Sequence, residues 1–342
     1  MGVCRICPLP TAMPERDQMI NDVLVSGFFE LAAVSASLTA AHETGLLVAL
    51  STGPAGGTEL AERCTCSVAA AEQVLAVLVE AGVVQVDGDR YRFTSAVQSE
   101  LDKSPGGAPA YFRLWAHTPT YLRSGAPTAV MDGTPAERSA AYSSTVGGLA
   151  DLFGDAALTL ASFAPIRAGA RVLDLGAGSG VWSLAMISAT PDATATAVDF
   201  ERVLPSFRAR AAIVGVGDRA ETIVGDYHEV ALDRNRYDRI VLANVLHLES
   251  PTDAAALISK AASATASDGD LVIVDIFDGD RPARLRHAAY ALHLGMRSAA
   301  ARPHRVADLV GWLAEAGFDR YSSIDLGAPA GVSALVAHRG VV

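Results

Sequence analysis

The sequence predicts an α/β fold with a mostly parallel sheet, and a strand, a glycine-rich turn and a helix in succession carry that prediction. Residues 171–180 read Arg-Val-Leu-Asp-Leu-Gly-Ala-Gly-Ser-Gly, a short apolar run typical of a buried parallel strand, followed by glycines. The next residues, 181–188, are mainly apolar and can form a helix. Farther along, several apolar segments each end in a polar residue, as expected at the ligand-binding edge of an open α/β sheet.

The glycine-rich turn indicates a binding site for a nucleotide-like cofactor. Gly176, Gly178 and Gly180 lack a Cβ where a ligand must lie against the backbone, and the following helix N-terminus offers free N–H groups. The dinucleotide fingerprint would need a glycine at position 181, which is Val181. Asp174 would repel a pyrophosphate, but it suits a cofactor with an ammonium group, such as S-adenosylmethionine (SAM). The sequence therefore favours SAM.

Further strand segments also end in polar residues. They are residues 193–200 with Asp199, 221–225 followed by Asp226 and Tyr227, 237–247 ending at His247, and 269–275 ending at Asp275. An acidic residue about 20 positions beyond the turn, here Asp199, is where ribose hydroxyls are held. Asp226 and Tyr227 are placed to meet an adenine amino group and its ring face. Polar strand ends in register favour a ligand site over incidental loop residues.

Roughly residues 20 to 340 resemble the SAM-dependent small-molecule O-methyltransferases that carry an N-terminal winged-helix dimerisation domain. The matching positions are Asp174–Gly180, Asp199, Gly225–Asp226, Asn244–His247, Asp275 and Ala314–Phe318. The resemblance implies a Rossmann-like methyltransferase domain with a seven-stranded, mostly parallel sheet, preceded by a mainly helical winged-helix domain. It also implies SAM as the cofactor and S-adenosylhomocysteine (SAH) as its product.

The same resemblance implies roles for individual residues. His247 is the general base, because an imidazole titrates near physiological pH, and Asp275 orients it and stabilises its cationic form. In the family Asp-Trp follows this histidine, whereas this chain has Leu248-Glu249, a departure that bears on the acceptor and the base rather than on SAM binding. The expected cofactor contacts are Asp174, Gly176, Gly178, Gly180, Asp199, Phe200, Asp226, Tyr227 and Asn244. The expected acceptor contacts are Trp115, His117, Tyr121, Tyr290 and His293.

The chain is expected to divide into a flexible leader (1–18), a winged-helix dimerisation domain (19–104), a helical connector lining the acceptor pocket (105–165) and the methyltransferase domain (166–342). In the second of these, residues 21–50 show helical apolar spacing. Two short helices follow, the second capped by Ser67, and residues 83–93 predict a hairpin that turns at Asp87-Gly88. Helices followed by a hairpin are typical of a winged helix.

Winged helices often bind DNA, so a transcriptional regulator is the rival interpretation of this domain. The candidate recognition helix, residues 67–81, has no basic residue and two glutamates, and the chain carries a net charge of −11. A DNA reader needs lysines or arginines there to displace counterions. We therefore expect a homodimer that binds neither nucleic acid nor, given the lack of a sufficiently long apolar run, a membrane.

The cysteines indicate no metal site. Cys4 and Cys7, and Cys64 and Cys66, are closely spaced pairs without supporting histidines. Reduced, incidental cysteines are expected in a cytoplasmic enzyme.

The expected reaction is methyl transfer from SAM to a hydroxyl of a small molecule, phenolic or polyketide-like. Two alternatives stay open. One is C-methylation of an enolisable carbon, with a version in which His247 and His293 hold a metal. The other is a non-methylating cyclisation, rearrangement or hydroxylation that retains SAM. Nothing in the sequence identifies the acceptor.

Overall fold

The computed structural model describes residues 16–103, 114–128, 133–143, 146–278, 284–327 and 331–340. The chain forms two units, residues 1–102 and residues 103–342. Of the predicted leader, residues 1–15 with Cys4 and Cys7 lie outside the described residues, whereas residues 16–18 already belong to the first helix. The predicted connector, residues 105–165, falls within the second unit.

The first unit is mainly helical and contains a three-stranded antiparallel sheet in the order β1-β3-β2. A single apolar core fills it, with Leu46, Leu60, Leu75 and Phe93 among its buried members. Its elements are α1 (Arg16–Glu43), α2 (Leu46–Ser51), β1 (Ala55–Gly56), α3 (Gly57–Arg63), α4 (Val68–Glu80), β2 (Val84–Asp87), β3 (Arg90–Phe93) and α5 (Ser95–Lys103).

Local details of this unit differ from the expectation. The helical stretch 21–50 is interrupted at Gly45, whose φ of 82° is left-handed. Ser67 occupies the N-cap of α4, but its side chain makes no capping hydrogen bond. The hairpin turns one residue later than predicted, at Gly88 and the residue after it, because Asp87 still pairs with Arg90 across the strands.

No helix among the described residues of the chain is long and apolar enough to cross a lipid bilayer.

The second unit alternates strands and helices. The elements are α6 (Thr118–Ser124), α7 (Pro135–Ser143), α8 (Val146–Phe163), β4 (Arg171–Leu175), α9 (Val181–Ser188), β5 (Thr194–Asp199), α10 (Leu204–Ile213), β6 (Ala220–Val224), β7 (Tyr237–Ala243), α11 (Pro251–Ala264), β8 (Thr265–Asp275), α12 (Arg284–Gly295), α13 (Val306–Glu315), β9 (Arg320–Asp325) and β10 (Ser333–His338).

One seven-stranded sheet organises this unit, in the order β6-β5-β4-β7-β8-β10-β9. The first five strands of that order run parallel, and β10 runs antiparallel to both of its neighbours. The predicted seven-stranded, mostly parallel sheet is therefore confirmed. Strand β7 ends earlier than predicted, since Asn244 has a left-handed φ of 55° and residues 246–248 form a short 3₁₀ helix.

Helices cover both faces of this sheet. Successive side chains of a strand point to opposite faces, so Val172 joins one buried core with Leu160 of α8. Its neighbour Leu173 joins a second core with Leu257 of α11 and Leu313 of α13. This burial on both faces explains why β4 reads as a continuous apolar run broken by Asp174.

The last glycine of the turn after β4 is required by packing. Gly180 has a φ of +70°, and an added Cβ would overlap the ring of Phe207, which is fully buried in α10. Glycine is thus the residue that lets α9 start directly against α10 at this point.

We predict that Gly180→Ala destabilises the protein by about 2–4 kcal/mol, because left-handed backbone strain adds to overpacking. Gly154→Ala is the matched control, since Gly154 lies in α8 with nothing within 4 Å of an added Cβ. Alanine there should be neutral or slightly stabilising. Denaturant unfolding followed by circular dichroism measures both, and equal stability of the two variants would contradict the packing argument.

Candidate active site

A cavity of about 290 Å³ lies at the carboxyl ends of β4, β5 and β7. This size matches the lower end of small-ligand pockets, roughly 300 Å³. All of its lining residues belong to the second unit. They include the glycine turn from Gly176 to Ser179, Asp199 and Phe200 at the end of β5, and Asn244 after β7.

The Asp199 carboxylate ties the glycine turn to the end of β5. Its Oδ2 accepts a hydrogen bond from Gly178 N–H at 2.8 Å, and its Oδ1 accepts one from Phe200 N–H at 2.7 Å. Burial raises the pKa of Asp199, while these two backbone N–H groups oppose the rise. Each carboxylate oxygen can accept more than one hydrogen bond, so both can still receive ligand hydroxyls.

Asp174 lies beneath the turn rather than in the cavity wall. Its side chain is buried, and Oδ2 accepts a hydrogen bond from Ser183 Oγ at 2.5 Å. Burial, helped by the nearby Asp199, raises the pKa of Asp174 to about 7, against the hydrogen bond from Ser183. A cofactor ammonium would therefore influence this carboxyl across the turn, without the direct contact that the sequence suggests.

The end of the cavity predicted for adenine contains a guanidinium. Arg138 of α7 forms an ion pair with Asp226 and lies over the Phe200 ring, 5.3 Å from its centroid. Arg138 Nε is buried without a hydrogen-bond partner. Asp226 is covered, and it is not among the lining residues, whereas Phe200 and Tyr227 are. A flat donor from the protein itself thus contacts the carboxylate that the sequence assigns to the adenine amino group, and it also covers the Phe200 ring.

Leu248 and Glu249, which stand where the family has Asp-Trp, both line this cavity. The buried Glu249 accepts a hydrogen bond from the Tyr227 hydroxyl at 2.7 Å, and its Oε1 lies 3.0 Å from His228 Nε2. The hydrogen bond to Glu249 raises the pKa of His228. The departure therefore places a carboxylate beside Tyr227, a residue expected to contact the cofactor.

His247 and Asp275 form a second group of candidate site residues, on the side expected to bind the acceptor. His247 Nδ1 lies 2.8 Å from Asp275 Oδ1, and Asp275 Oδ2 accepts the His247 backbone N–H at 3.2 Å. Both side chains are buried. An ionised carboxylate only accepts hydrogen bonds, so Nδ1 carries the proton and Nε2 presents its lone pair. This tautomer is the one that a general base requires.

A phenol lies beside the His247 imidazole. Tyr290 Oη is 3.2 Å from His247 Nε2 and 3.4 Å from Nδ1, with the two rings edge to face, so the hydroxyl contacts the ring without lying along the Nε2 lone pair. His293 stacks on Tyr290 with centroids 6.0 Å apart, and Trp115 lies 6.3 Å from His293. Three of the predicted acceptor residues therefore lie together beside the predicted base.

Backbone contacts hold the His247 segment in place. His304 is buried, its Nε2 lies 2.8 Å from the Leu246 carbonyl, and its ring packs edge to face on Trp312. Arg302 N–H donates to the His247 carbonyl at 2.8 Å. The segment is thus anchored on both sides of the imidazole.

The other predicted acceptor residues are placed differently. His117 is exposed, and the half-buried Tyr121 packs against Gly295. The cavity also includes residues that sequence reasoning missed, namely Arg138, Trp182 and Ser298. Trp182 lies two residues after Gly180, a position from which a contact with the turn could have been predicted. Tyr142, which also lines the cavity, belongs to the connector that was expected to line the acceptor pocket. Within the described part of the chain, no group of three or more His, Cys, Asp or Glu is arranged to hold a metal.

Comparisons with known proteins indicate the class of enzyme. A family model described as a methyltransferase domain matches residues 172–269. The 3-hydroxy-5-methyl-1-naphthoate 3-O-methyltransferase of Streptomyces sahachiroi is 25% identical, with 88% of this chain and 90% of that protein covered. The tetracenomycin polyketide synthesis 8-O-methyltransferase of Streptomyces glaucescens is 26% identical over 83% of this chain and 87% of its own. The crystal structure of human N-acetylserotonin methyltransferase with SAM superposes with a TM-score of 0.65 at 21% identity, covering 97% and 100% of the two chains.

These comparisons support a SAM-dependent methyltransferase that is similar over most of its length to small-molecule O-methyltransferases of the class I fold. The residues around the cavity fit SAM. The backbone of the glycine turn is accessible to a ligand because Gly176 and Gly178, which line the cavity, carry no side chain. The Asp199 oxygens can accept further hydrogen bonds from ribose hydroxyls, and the rings of Phe200 and Tyr227 line the cavity, where an adenine could pack against them.

We predict that SAM binding releases a proton from Asp174. A nearby cation favours the ionised carboxylate, so binding lowers a pKa that is about 7 in the free protein. Affinity should therefore rise with pH, by up to about tenfold between pH 6 and pH 8, and level off above the free-state pKa. Titration calorimetry at both pH values measures this effect.

Asp174→Asn is the control for that titration, since it keeps an acceptor for Ser183 but cannot ionise. The pH dependence should shrink in this variant. An equal pH dependence in both proteins would assign the proton to Asp199 or His228 instead.

Proposed function

We propose that this enzyme methylates a hydroxyl of a small aromatic natural product, phenolic or polyketide-like, with His247 as the general base. The observation that carries the proposal is the orientation of His247. Its Nδ1 is bonded to the Asp275 carboxylate, so Nε2 is the ring nitrogen left to accept a proton. A substrate hydroxyl that lies in the ring plane beyond Nε2 would meet that lone pair.

The relatives support the class of acceptor. By their names, one methylates a hydroxynaphthoate and another acts in tetracenomycin polyketide synthesis. The first name describes a hydroxylated aromatic acid and the second an O-methylation in polyketide synthesis, and both matches extend over most of this chain. Trp115, Tyr290 and His293 provide flat side chains on which such rings can pack.

SAM supplies an electrophilic methyl group on a sulfonium. The protein's part is mainly to align the acceptor oxygen with it, because in-line displacement needs a near-attack geometry. We assign cofactor binding to the glycine turn, Asp199, Phe200, Tyr227 and Asn244, with Asp226 available once Arg138 shares or leaves it. Asn244 and His247 lie on one short segment after β7, so the same loop serves the cofactor and the acceptor.

The acceptor hydroxyl must lose its proton as the new O–C bond forms. Nε2 of His247 receives that proton, and the resulting imidazolium is stabilised by the buried Asp275 carboxylate at 2.8 Å. Asp275 also accepts the backbone N–H groups of His247 and Ile276, which fix its orientation. The carboxylate therefore orients the base without becoming protonated itself.

We also propose that residues 19–104 form a winged-helix dimerisation domain. The order of α1, β1, two helices and the β2–β3 hairpin supports the fold. Phe28, Phe29 and Leu31 of α1 are 67%, 79% and 69% exposed, which supports an apolar face that a second copy covers. A cytoplasmic location is consistent with Cys64 and Cys66, which are free thiols.

We predict that His247→Ala lowers turnover about 10²–10⁴-fold, the usual contribution of a positioned base. SAM affinity should stay nearly unchanged, because the imidazole serves the acceptor. The loss should shrink at high pH, where a phenol with a pKa near about 10 ionises unaided. Radiolabelled methyl transfer to a panel of phenols and polyketide-like compounds provides the assay, and His338→Ala on β10 is the control.

Particular outcomes would contradict this proposal. Unchanged turnover in His247→Ala at neutral pH would remove His247 as the base. A product methylated on carbon, identified by NMR, would replace O-methylation with C-methylation, and SAM binding without any methyl transfer would favour the non-methylating alternative.

We predict that the protein is a dimer at micromolar concentration and that Phe29→Glu shifts it toward the monomer, since a charge on an apolar interface is costly. Ile213→Glu is the matched control, because Ile213 of α10 is 83% exposed but lies in the second unit. Light scattering coupled to size exclusion measures the mass. A monomeric wild type, or equal dissociation of both variants, would overturn the assignment of the interface to α1.

A further inference from the structure

Arg297 is a half-buried cation close to the predicted base. It follows helix α12, and its Nη1 lies 3.0 Å from His293 Nε2. Among the described residues it makes no ion pair with a carboxylate and no side-chain hydrogen bond to a carbonyl. In contrast, the buried Arg239 is paired with Asp270 through both of its donor nitrogens. Most of the Arg297 donors are therefore left unused by the residues that the structure describes.

The only described partner of the Arg297 side chain is neutral. Burial, the Arg297 charge and His247 together lower the pKa of His293 to about 4, so the imidazole is uncharged at physiological pH. Its Nε2 accepts from Arg297 and thereby orients the guanidinium, but it adds no negative charge. A partly buried guanidinium without a counter-ion is costly, and a bound anion would remove that cost.

The place of Arg297 relates it to the acceptor. His293 stacks on Tyr290, with their rings only 6° from parallel, and the Tyr290 hydroxyl reaches His247 Nε2. On its other side, the Arg297 charge acts on Tyr142, which lines the cofactor cavity. A guanidinium recognises a carboxylate with two parallel hydrogen bonds, and the neighbouring rings suit a flat aromatic body.

We propose that Arg297 binds a carboxylate on the methyl acceptor, so that the substrate is a hydroxyaryl carboxylic acid. The proposal rests on the proposed function, because it concerns the acceptor side of the same site. Trp115, Tyr290 and His293 pack against the aromatic rings, Arg297 holds the carboxylate, and His247 receives the proton of the hydroxyl. In this proposal Arg297 determines the specificity of the enzyme for acceptors that carry a carboxylate.

The test compares an acid with its neutral counterpart. Full-length enzyme saturated with SAH is titrated calorimetrically with 3-hydroxy-2-naphthoate and with the methyl ester of that acid. The wild type should bind the acid at least about tenfold more tightly. In Arg297→Gln the acid should lose about 10- to 100-fold in affinity while the ester is unchanged, because only a charge-assisted pair is removed. Arg297→Lys should restore part of the loss.

Controls separate this proposal from folding and from the proposed function. Arg123→Gln removes an exposed arginine of α6 and should leave both affinities unchanged. An unchanged affinity of Arg297→Gln for SAH shows that the variant is folded. Equal binding of acid and ester by the wild type, an acid preference that survives Arg297→Gln, or failure of the acid to bind the SAH complex would overturn the carboxylate assignment. Failure of the wild type to bind SAM or SAH at all would instead contradict the proposed function.

Discussion

Parallel hydrogen bonding of β4 to β5 on one side and to β7 on the other is the constraint on which both parts of the active site depend. Parallel strands end at the same edge of a sheet, so this pairing brings the glycine turn, Asp199 and Asn244 to one place. The next parallel strand, β8, adds Asp275 beside the His247 segment. A cofactor centre and a base are thereby built side by side from residues about 100 positions apart in the chain.

Two carboxylates at this edge of the sheet each hold backbone N–H groups and remain available as hydrogen-bond acceptors. Asp199 and Asp275 each accept the N–H of the residue that follows them, at 2.7 and 2.8 Å, and each also holds a loop from a neighbouring strand. Asp199 holds the glycine turn through Gly178, and Asp275 holds His247. Because a carboxylate has several lone pairs, it can fix the backbone and still serve the chemistry.

The histidines of the acceptor side are distinguished by what surrounds them. His247 faces a buried carboxylate, which suits the proposed general base because that imidazole becomes cationic. Burial and the neighbouring Arg297 guanidinium lower the pKa of His293 to about 4, so its imidazole is neutral at physiological pH. Two rings of the same chemical type thus have opposite electrostatic surroundings.

The Leu248-Glu249 departure shows how a local change can act on an unexpected side of a site. Glu249 directs its carboxylate to Tyr227 and His228, at the cofactor cavity, because the 3₁₀ turn at residues 246–248 separates it from the imidazole. His247 keeps its partner Asp275. The departure is therefore compatible with an intact pairing of His247 with Asp275, and its carboxylate lies on the Tyr227 side of the cavity.

The sequence by itself determined the elements whose signal is local. The parallel sheet was predicted from the apolar run of β4 and the glycine spacing at 176–180, because the spacing of apolar residues depends on local structure. The meeting of Asp199, His247 and Asp275 at one edge was predicted because each ends a strand of that sheet. Only the tertiary structure decided that Asp174 lies under the turn, that Arg138 covers Asp226, and that Arg297 lies beside His293. These contacts join segments that no periodicity relates, so packing between distant elements and the burial of charge determine them.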